Sequence, residues 1–277
     1  MSDELTPGVV AALEPWLRRL VAPNPGLMTG PGTNTYLVGV DEIAVIDPGP
    51  AIDAHVEAIL AAAGASVRWL IASHTHTDHS PAVARLARAT GATVVGLPAP
   101  AGPHQDATFA PDLEPGDGER LIVDGIELEI LHTPGHASNH LCFFHRQSGW
   151  LFTGDHVING STVVIDPPDG SMGDYLESLA KLRRLPLRTI AGGHGHAIEK
   201  PAEAIDALMA HRLKREARVR DALALSGGGT LADLVVFAYD DVEASRHALA
   251  QRSLLAHLEK LEAEGTARRT GDRWSLR

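Results

Sequence analysis

The chain has 277 residues, of which 44% are hydrophobic and 21% are charged, and 24 Lys and Arg against 35 Asp and Glu give a formal net charge of −11. This composition excludes an intrinsically disordered protein, and no apolar run approaches the roughly 20 residues of a membrane-spanning helix. The acidic N-terminus has no basic segment ahead of an apolar stretch, so we expect a cytoplasmic protein without a signal peptide.

Cysteine and histidine usage narrows the kinds of site that the chain can form. The single cysteine, Cys142, excludes an intrachain disulfide and a cysteine-rich zinc site. The chain also holds 15 histidines, and several of them are clustered. Imidazole and carboxylate groups bind metal ions without thiolates, so a histidine and aspartate metal site is the first hypothesis.

Between about residues 36 and 196, short β-rich runs alternate with helical stretches that end at glycine or proline. This pattern predicts a mixed α and β domain. The predicted strands are residues 35–40, 43–47, 67–72, 92–95, 126–131 and 140–144, with shorter ones at 150–152 and 189–191. The predicted helices of this part are residues 52–63, 81–90 and 174–185.

After Pro201 the sequence becomes rich in helix-forming residues. It predicts helices at 202–225, 231–238 and 243–264, followed by a hairpin about a Gly-Asp turn at 265–276. Two helices and a hairpin in this order are typical of a winged helix. We therefore predict a catalytic domain at 1–200, and a helical linker with a winged-helix domain at 201–277.

The densest group of metal-binding side chains is Ser-His-Thr-His-Thr-Asp-His-Ser at residues 73–80, directly after a buried strand. Alternate residues of an extended segment point the same way, so His74 and His76 can share one metal ion. Asp78 and His79 lie at the turn into the next helix and can face a second ion. A histidine-rich polar loop without a metal is the alternative.

This motif cannot complete a metal site alone, and three further candidates follow later strands. They are His136, Asp155 and His194, each beside a glycine that lets the chain turn sharply. Each of them alone would be an ordinary loop residue. Together with the motif at 73–80, they predict one joint site.

Over residues 20–200 these motifs resemble the metallo-β-lactamase fold superfamily. The resemblance implies an α+β fold, a four-layer αββα sandwich. It also implies that His74, His76 and His136 bind one metal ion, that Asp78, His79 and His194 bind the other, and that Asp155 bridges both. The implied cofactors are two Zn²⁺ ions with a bridging hydroxide, and the ligand types also admit iron or manganese.

Segments 24–38, 211–216 and 253–265 extend the resemblance to the lactamase-beta-2-like group, which has a C-terminal winged helix. The characterised member of that group is a zinc-dependent endoribonuclease acting on single-stranded RNA. Pro81 and His196 depart from the family pattern, and His196 makes His194 less certain as the ligand. The bridging Asp155 disfavours a true β-lactamase, which lacks a carboxylate at this position.

Several further residues are candidates for a functional role, and most of them also have a structural interpretation. Asp78 is a candidate proton carrier, and Asp47 supports the histidine ligands or forms a turn. Tyr175 offers a catalytic hydroxyl or packs half-buried on its helix. His196 and the helical arginines Arg212, Arg215 and Arg218 are candidate substrate-binding residues, with a solvated helix face as the alternative for the arginines.

Three functions compete at this stage. The first is a dinuclear zinc-dependent hydrolase that cleaves single-stranded RNA, and the second is a thioester or ester hydrolase of the hydroxyacylglutathione hydrolase type. The third, a winged-helix regulator, is the weakest. We expect no double-stranded DNA partner, because Glu259, Glu262 and Glu264 make the predicted recognition helix acidic. No membrane partner is expected, and a homodimer is kept open.

Overall fold

The computed structural model describes residues 5–64 and 66–277, which form two compact units. The first unit comprises the described residues up to 133, with 139–163 and 184–201. The second comprises 134–138, 164–183 and 202–277. The predicted domain boundary at residue 200 stays a prediction. The start of the N-terminal segment used to argue against a signal peptide lies outside the described residues.

The first unit begins with a six-stranded sheet whose strands follow one another in chain order. The first four strands are antiparallel, and the last three pair in parallel. The strands are β1 (Ala11–Glu14), β2 (Leu17–Val21), β3 (Asn34–Val38), β4 (Ile43–Ile46), β5 (Val67–Ile71) and β6 (Thr93–Val95). Parallel pairing requires crossovers, which are the helices α1 (Asp53–Ala63) and α2 (Val83–Thr90).

A five-stranded sheet completes the first unit, with β11 at one edge and β7 at the other. Its strands are β7 (Arg120–Val123), β8 (Ile126–His132), β9 (Leu141–His145), β10 (Trp150–Gly154) and β11 (Thr189–Gly192). β10 and β11 are parallel and the remaining pairs are antiparallel. The ends of β5, β10 and β11 therefore each lead into a loop that carries a predicted ligand.

Two apolar clusters explain how the first unit is layered. One cluster joins side chains of both sheets, such as Tyr36 and Ile46 with Phe143 and Phe152, so the sheets pack face to face. The other places Val56 and its helical neighbours against the opposite face of the six-stranded sheet. These layers confirm the α+β class.

The second unit contains α3 (Met172–Leu182), α4 (Pro201–Ser226), α5 (Leu231–Ala238) and α6 (His247–Ala263), followed by a hairpin of β12 (Ala267–Thr270) and β13 (Arg273–Leu276). Its core includes Leu223, Leu234, Leu258 and Trp274. The order of helices and hairpin after α4 is the predicted one. No helix of residues 5–64 and 66–277 is long and apolar enough to cross a bilayer.

Some predicted boundaries are wrong for local reasons. α3 begins at Met172, because the Ser171 hydroxyl accepts a hydrogen bond from the Asp174 amide at 3.3 Å and caps the helix there. The predicted helix 243–264 starts with a 3₁₀ turn before α6. β1, β2 and β7 were not predicted. β2 contains two arginines, and its Arg19 is nonetheless buried.

Candidate metal centre

The loop after β5 is tied to the end of β4 through one buried carboxylate. Asp47 Oδ1 accepts a hydrogen bond from the Ser73 amide at 2.7 Å, and Oδ2 accepts one from the Ser73 hydroxyl at 2.8 Å. Asp47 Oδ2 also lies 3.0 Å from His79 Nδ1. The ring of His79 is thereby turned so that Nε2 points away from Asp47.

Four predicted ligands meet at this point in the first unit. Each of Asp78, His79, Asp155 and His194 offers one ligand atom, and these atoms all lie within 4.8 Å of one another. Asp155 Oδ1 lies 3.4 Å from His79 Nε2 and 3.2 Å from His194 Nε2. Asp78 Oδ2 lies 3.4 Å from His194 Nε2. Three separate loops thus place their side chains around one small volume.

The charges of this cluster perturb one another strongly. Burial lowers the pKa of His194, but the carboxylates of Asp155 and Asp78 outweigh it and raise that pKa to about 10. Burial also lowers the pKa of His79, but the negative charges of Asp78 and Asp155 outweigh it and raise that pKa well above its usual value. Burial raises the pKa of Asp155, whereas the two histidines lower it well below its usual value. The negative charge that stabilises the imidazolium ions would equally stabilise a metal cation.

Two buried nitrogen atoms test whether a metal ion fits this cluster. His79 Nε2 and His194 Nε2 are buried and have no hydrogen-bond partner among the described residues, although both face carboxylate oxygens. Buried nitrogen atoms without hydrogen bonds are costly unless another ligand satisfies them. Imidazole nitrogen and carboxylate oxygen are ligands of divalent transition metals, so these residues fit such an ion.

Gly193 lies very close to the side chains of two predicted ligands, Asp155 and His79. A Cβ atom added to Gly193 would lie 2.6 Å from Asp155 Oδ1 and 2.7 Å from His79 Cε1. Either distance is a steric clash. Glycine at 193 is therefore required by the close approach of the two neighbouring ligands.

The predicted pair His74 and His76 also converges within the first unit. His74 Nε2 lies 2.9 Å from His76 Nδ1, and the Ser73 hydroxyl lies 3.0 Å from His74 Nδ1. His136 belongs to the second unit, where its Nδ1 lies 2.7 Å from the carbonyl oxygen of Val164. The assignment of His136 as the third ligand of this pair stays a prediction.

The structure separates His194 from its neighbour His196. His194 is buried in the four-residue cluster, whereas His196 is exposed and lies outside it. His194 is further oriented through Nδ1, which lies 3.2 Å from the carbonyl oxygen of Gly32. The cluster therefore includes His194 and not His196, and the contact of His196 with a substrate stays a prediction.

Tyr175 packs inside the second unit rather than presenting its hydroxyl group. Its side chain is fully buried, and the Arg212 guanidinium lies 5.3 Å from its ring centroid. A Cβ atom at Gly135 would approach the Cα atom of Tyr175 to 2.4 Å, so the backbone is packed closely here. Because a fully buried ring presents no surface to a substrate, the catalytic role of Tyr175 is not carried further.

Two of the three arginines predicted to form a patch on α4, Arg215 and Arg218, form ion pairs within the second unit. Arg215 donates to Asp241 at 2.9 Å, and Arg218 pairs with Asp240 and Asp241. Arg212 and Arg215 are buried, which corrects the alternative of a solvated helix face for these two. Asp240 and Asp241 offset the positive charge of Arg215 and Arg218 inside the unit, which weakens the argument for phosphate binding by these two residues.

Sequence reasoning missed Asn34, at the start of β3. Its side-chain amide donates to the carbonyl oxygens of Gly192 and Gly195, each at 2.9 Å. Tyr36 adds a hydrogen bond from its hydroxyl group to Gly192 at 2.8 Å. These contacts hold the loop that carries His194. A polar residue at the start of a fully buried strand was the available signal.

Two family models match separate parts of this chain. The metallo-beta-lactamase superfamily matches residues 28–194, and a beta-lactamase associated winged helix domain matches residues 230–274. A beta-lactamase-like protein 2 homolog from Drosophila melanogaster is 28% identical over 90% of this chain and 89% of its own length. An atrochrysone carboxyl ACP thioesterase from Aspergillus fumigatus is 31% identical over 77% of this chain and 67% of its own.

A solved structure shows the same similarity over nearly the whole chain. The crystal structure of a metallo-beta-lactamase family protein from Thermus thermophilus has a TM-score of 0.79 and 26% identity, covering 96% of this chain and all of the other. The superfamily consists generally of metal-dependent hydrolases, and the His and Asp cluster is a candidate site for divalent metal ions. The chain belongs to the metallo-β-lactamase superfamily, with a winged helix at its C-terminal end.

Proposed function

We propose that this enzyme is a dinuclear zinc-dependent hydrolase that cleaves thioesters or carboxylic esters. The observation that carries the hydrolase is the buried convergence of Asp78, His79, Asp155 and His194 on one small volume. In the proposal these residues hold the second ion, with Asp155 shared between the two. His74, His76 and His136 hold the first.

The place of His136 in the chain supports its inclusion. It lies in the loop that joins β8 to β9, two neighbouring strands of the five-stranded sheet. Eight residues separate the ends of these strands, which keeps the loop near the sheet edge from which it starts. Zinc is favoured because imidazole and carboxylate are its usual ligands in hydrolases. Iron and manganese are the metal ions that would compete with it.

The protein's own residues contribute position and proton transfer. When bound, the metal pair would supply Lewis acidity and a water nucleophile at neutral pH. Asp47 orients His79, and the carbonyl of Gly32 orients His194, which fixes the rings before metal binding. Asp78 has the most exposed side chain of the cluster, at 26%, so its carboxylate is placed to pass a proton to solvent.

Two observations favour a thioester or ester over RNA as the substrate. A relative that aligns with 77% of this chain is named as an acyl carrier protein thioesterase. Two of the arginines of α4 that the sequence offered for phosphate binding, Arg215 and Arg218, are paired with Asp240 and Asp241. Single-stranded RNA cleavage, which the sequence resemblance to the lactamase-beta-2-like group implies, is the second candidate.

The experiment compares substrates on the metal-loaded enzyme. Zinc is quantified per chain, and acyl thioesters, carboxylic esters and labelled single-stranded RNA are offered in parallel. We expect thioester turnover that a chelator stops and zinc restores. RNA cleavage without thioester turnover contradicts the substrate proposal, and turnover that survives chelation contradicts the metal proposal.

Three predictions about the setting of the enzyme remain proposals. These are its location in the cytoplasm, the absence of a double-stranded DNA partner and the possibility of a homodimer. Because the chain belongs to a superfamily that consists generally of metal-dependent hydrolases, we propose an enzyme and not a winged-helix regulator.

A further inference from the structure

The loop that carries His136 belongs to a different unit from the strands that it joins. Residues 134–138 lie in the second unit, whereas residue 133 before them and residue 139 after them lie in the first. Hydrogen bonds explain this division, because several of them connect the loop to residues 164–178. The position of His136 is therefore set by α3 and by the segment that precedes it.

Two carbonyl groups on the N-terminal side of His136 accept hydrogen bonds from α3 and its cap. The Ser178 hydroxyl donates to the carbonyl of Pro134 at 2.8 Å, and the Ser171 amide donates to the carbonyl of Gly135 at 2.8 Å. Ser178 is buried, so a carbonyl group that lost this hydroxyl would not easily find water in its place. The beginning of α3 thus fixes the chain directly before the histidine.

The loop also lies against the backbone of α3. Gly135 has φ of 144°, and its missing side chain leaves the space that the first turn of α3 fills at Tyr175. A larger residue at 135 would push the loop away from the helix. The hydrogen bonds of Ser178 and Ser171 are therefore accompanied by direct backbone packing.

The chain is anchored on the C-terminal side of His136 as well. Asp169 Oδ1 accepts a hydrogen bond from the Ser138 amide at 3.1 Å and another from the Ser138 hydroxyl at 2.5 Å. A carboxylate that accepts from both a backbone amide and a side chain holds that residue in one orientation. His136 is thus held between anchors two residues away on either side.

The ring of His136 is oriented by a further contact. Its Nδ1 lies 2.7 Å from the carbonyl oxygen of Val164. A carbonyl oxygen only accepts hydrogen bonds, so Nδ1 carries the hydrogen atom and Nε2 carries the lone pair. A ring held through Nδ1 presents Nε2 in one direction, which is the usual way in which proteins align a histidine ligand.

We propose that Ser178 and Asp169 are positioning residues for the first metal ion, because they hold the loop from which Nε2 of His136 binds it. This inference rests on the proposed function, in which His136 is a ligand of that ion. Neither residue belongs to the candidate ligand groups, and each acts through the backbone of residues 134–138. The second unit thereby contributes an aligned ligand to the metal centre.

The test titrates the metal-free full chain with zinc and measures the dissociation constants of the two ions separately. Ser178→Ala should weaken one ion by about 10–100-fold and leave the other unchanged. His136→Ala should weaken the same ion, which the visible spectrum of bound cobalt(II) identifies. In the double variant, Ser178→Ala should cause no further loss of affinity, because Ser178 acts only through His136.

A matched control separates positioning from stability. Ser226→Ala removes a hydrogen bond of the same kind, from a hydroxyl to the carbonyl of Ala222 at 2.6 Å, elsewhere in the second unit. It should leave the affinity for both ions unchanged. Asp169→Ala is the second variant and should weaken the same ion as Ser178→Ala. Urea unfolding of the metal-free variants checks that each of them folds.

The outcomes distinguish this inference from the function on which it rests. Zinc binding that is unchanged in both Ser178→Ala and Asp169→Ala, while His136→Ala loses one ion, overturns the positioning roles alone. Equal weakening of both ions by Ser178→Ala, or a further loss in the double variant, also overturns them. If His136→Ala binds both ions as tightly as the wild type, the ligand assignment fails, and the positioning roles fail with it.

Discussion

The charged residues at the metal centre and those along α4 are both partly buried, but they are arranged in opposite ways. In the first unit, two histidines and two aspartates converge, and within the described part of the chain His79 Nε2 and His194 Nε2 have no hydrogen-bond partner. In the second unit, Arg215 and Arg218 lie against Asp240 and Asp241 in direct ion pairs. Charged side chains that converge on one volume without hydrogen bonds indicate a ligand site, whereas charged side chains in direct ion pairs indicate a structural role.

The largest expected effect comes from removing the shared carboxylate of the metal centre. Asp155→Ala should lower bound metal below two ions per chain and reduce hydrolysis by more than about 100-fold, because even residues that only support a ligand contribute about 10–100-fold. Metal quantification and turnover measure both. Asp124→Asn, at the half-buried turn between β7 and β8, is the control. Two ions still bound in the Asp155 variant would remove the assignment.

A smaller change tests whether Asp47 orients His79 for metal binding. Asp47→Asn replaces one carboxylate oxygen by an amide nitrogen that cannot accept the hydrogen bonds of Ser73 and His79. We expect metal affinity to fall by about 10–100-fold. Asp47 and Asp124 both have φ of 50°, so Asp124→Asn controls for the backbone change. Equal affinity in the two variants would show that Asp47 serves only the turn.

A third buried histidine, His55, sharpens the comparison, because burial and not a carboxylate dominates the shift of its pKa. Burial lowers the pKa of His55 from 6.5 to about 4, whereas the pKa of His194 is raised to about 10. The unfolded chain binds the proton more readily, so stability is full above pH 6.5 and is lost as pH falls toward 4. At pH 5 the loss relative to pH 7 is on the order of 2 kcal/mol.

His55→Gln should remove this part of the pH dependence. Urea unfolding at pH 7 and pH 5 measures it, and His104→Gln, at an exposed position, is the control. The same fall in stability in the wild type and in the His55 variant would contradict the assignment.

The ion pairs of α4 should give the smallest effect, and it should appear in stability alone. Arg215→Met removes hydrogen bonds to Asp241 and to the carbonyl of Ala238. We expect the free energy of unfolding to fall by about 1–3 kcal/mol, with two metal ions still bound. Arg220→Met, at an exposed position, should change stability by less than about 0.5 kcal/mol. Loss of metal from the Arg215 variant would break the contrast between the two regions.

Prediction from sequence succeeded where a local pattern determines the outcome. Glycine and proline marked the ends of α1 and α4, and the 73–80 motif placed its ligands at the end of a strand. It failed where long-range contacts decide. No local signal shows that Arg215 meets Asp241, or that Asn34 reaches the carbonyls of a loop 158 residues away. β2 was missed because two of its five residues are arginines, and no local pattern shows that Arg19 is buried.

Gly193 limits how the specificity of this enzyme can be altered. Any side chain there would occupy the space between Asp155 and His79, so even alanine would displace a ligand before it met a substrate. A randomised library that includes position 193 would consist mostly of metal-deficient proteins. Diversity is better placed at His196, three residues further on, where the side chain is exposed and lies outside the ligand cluster.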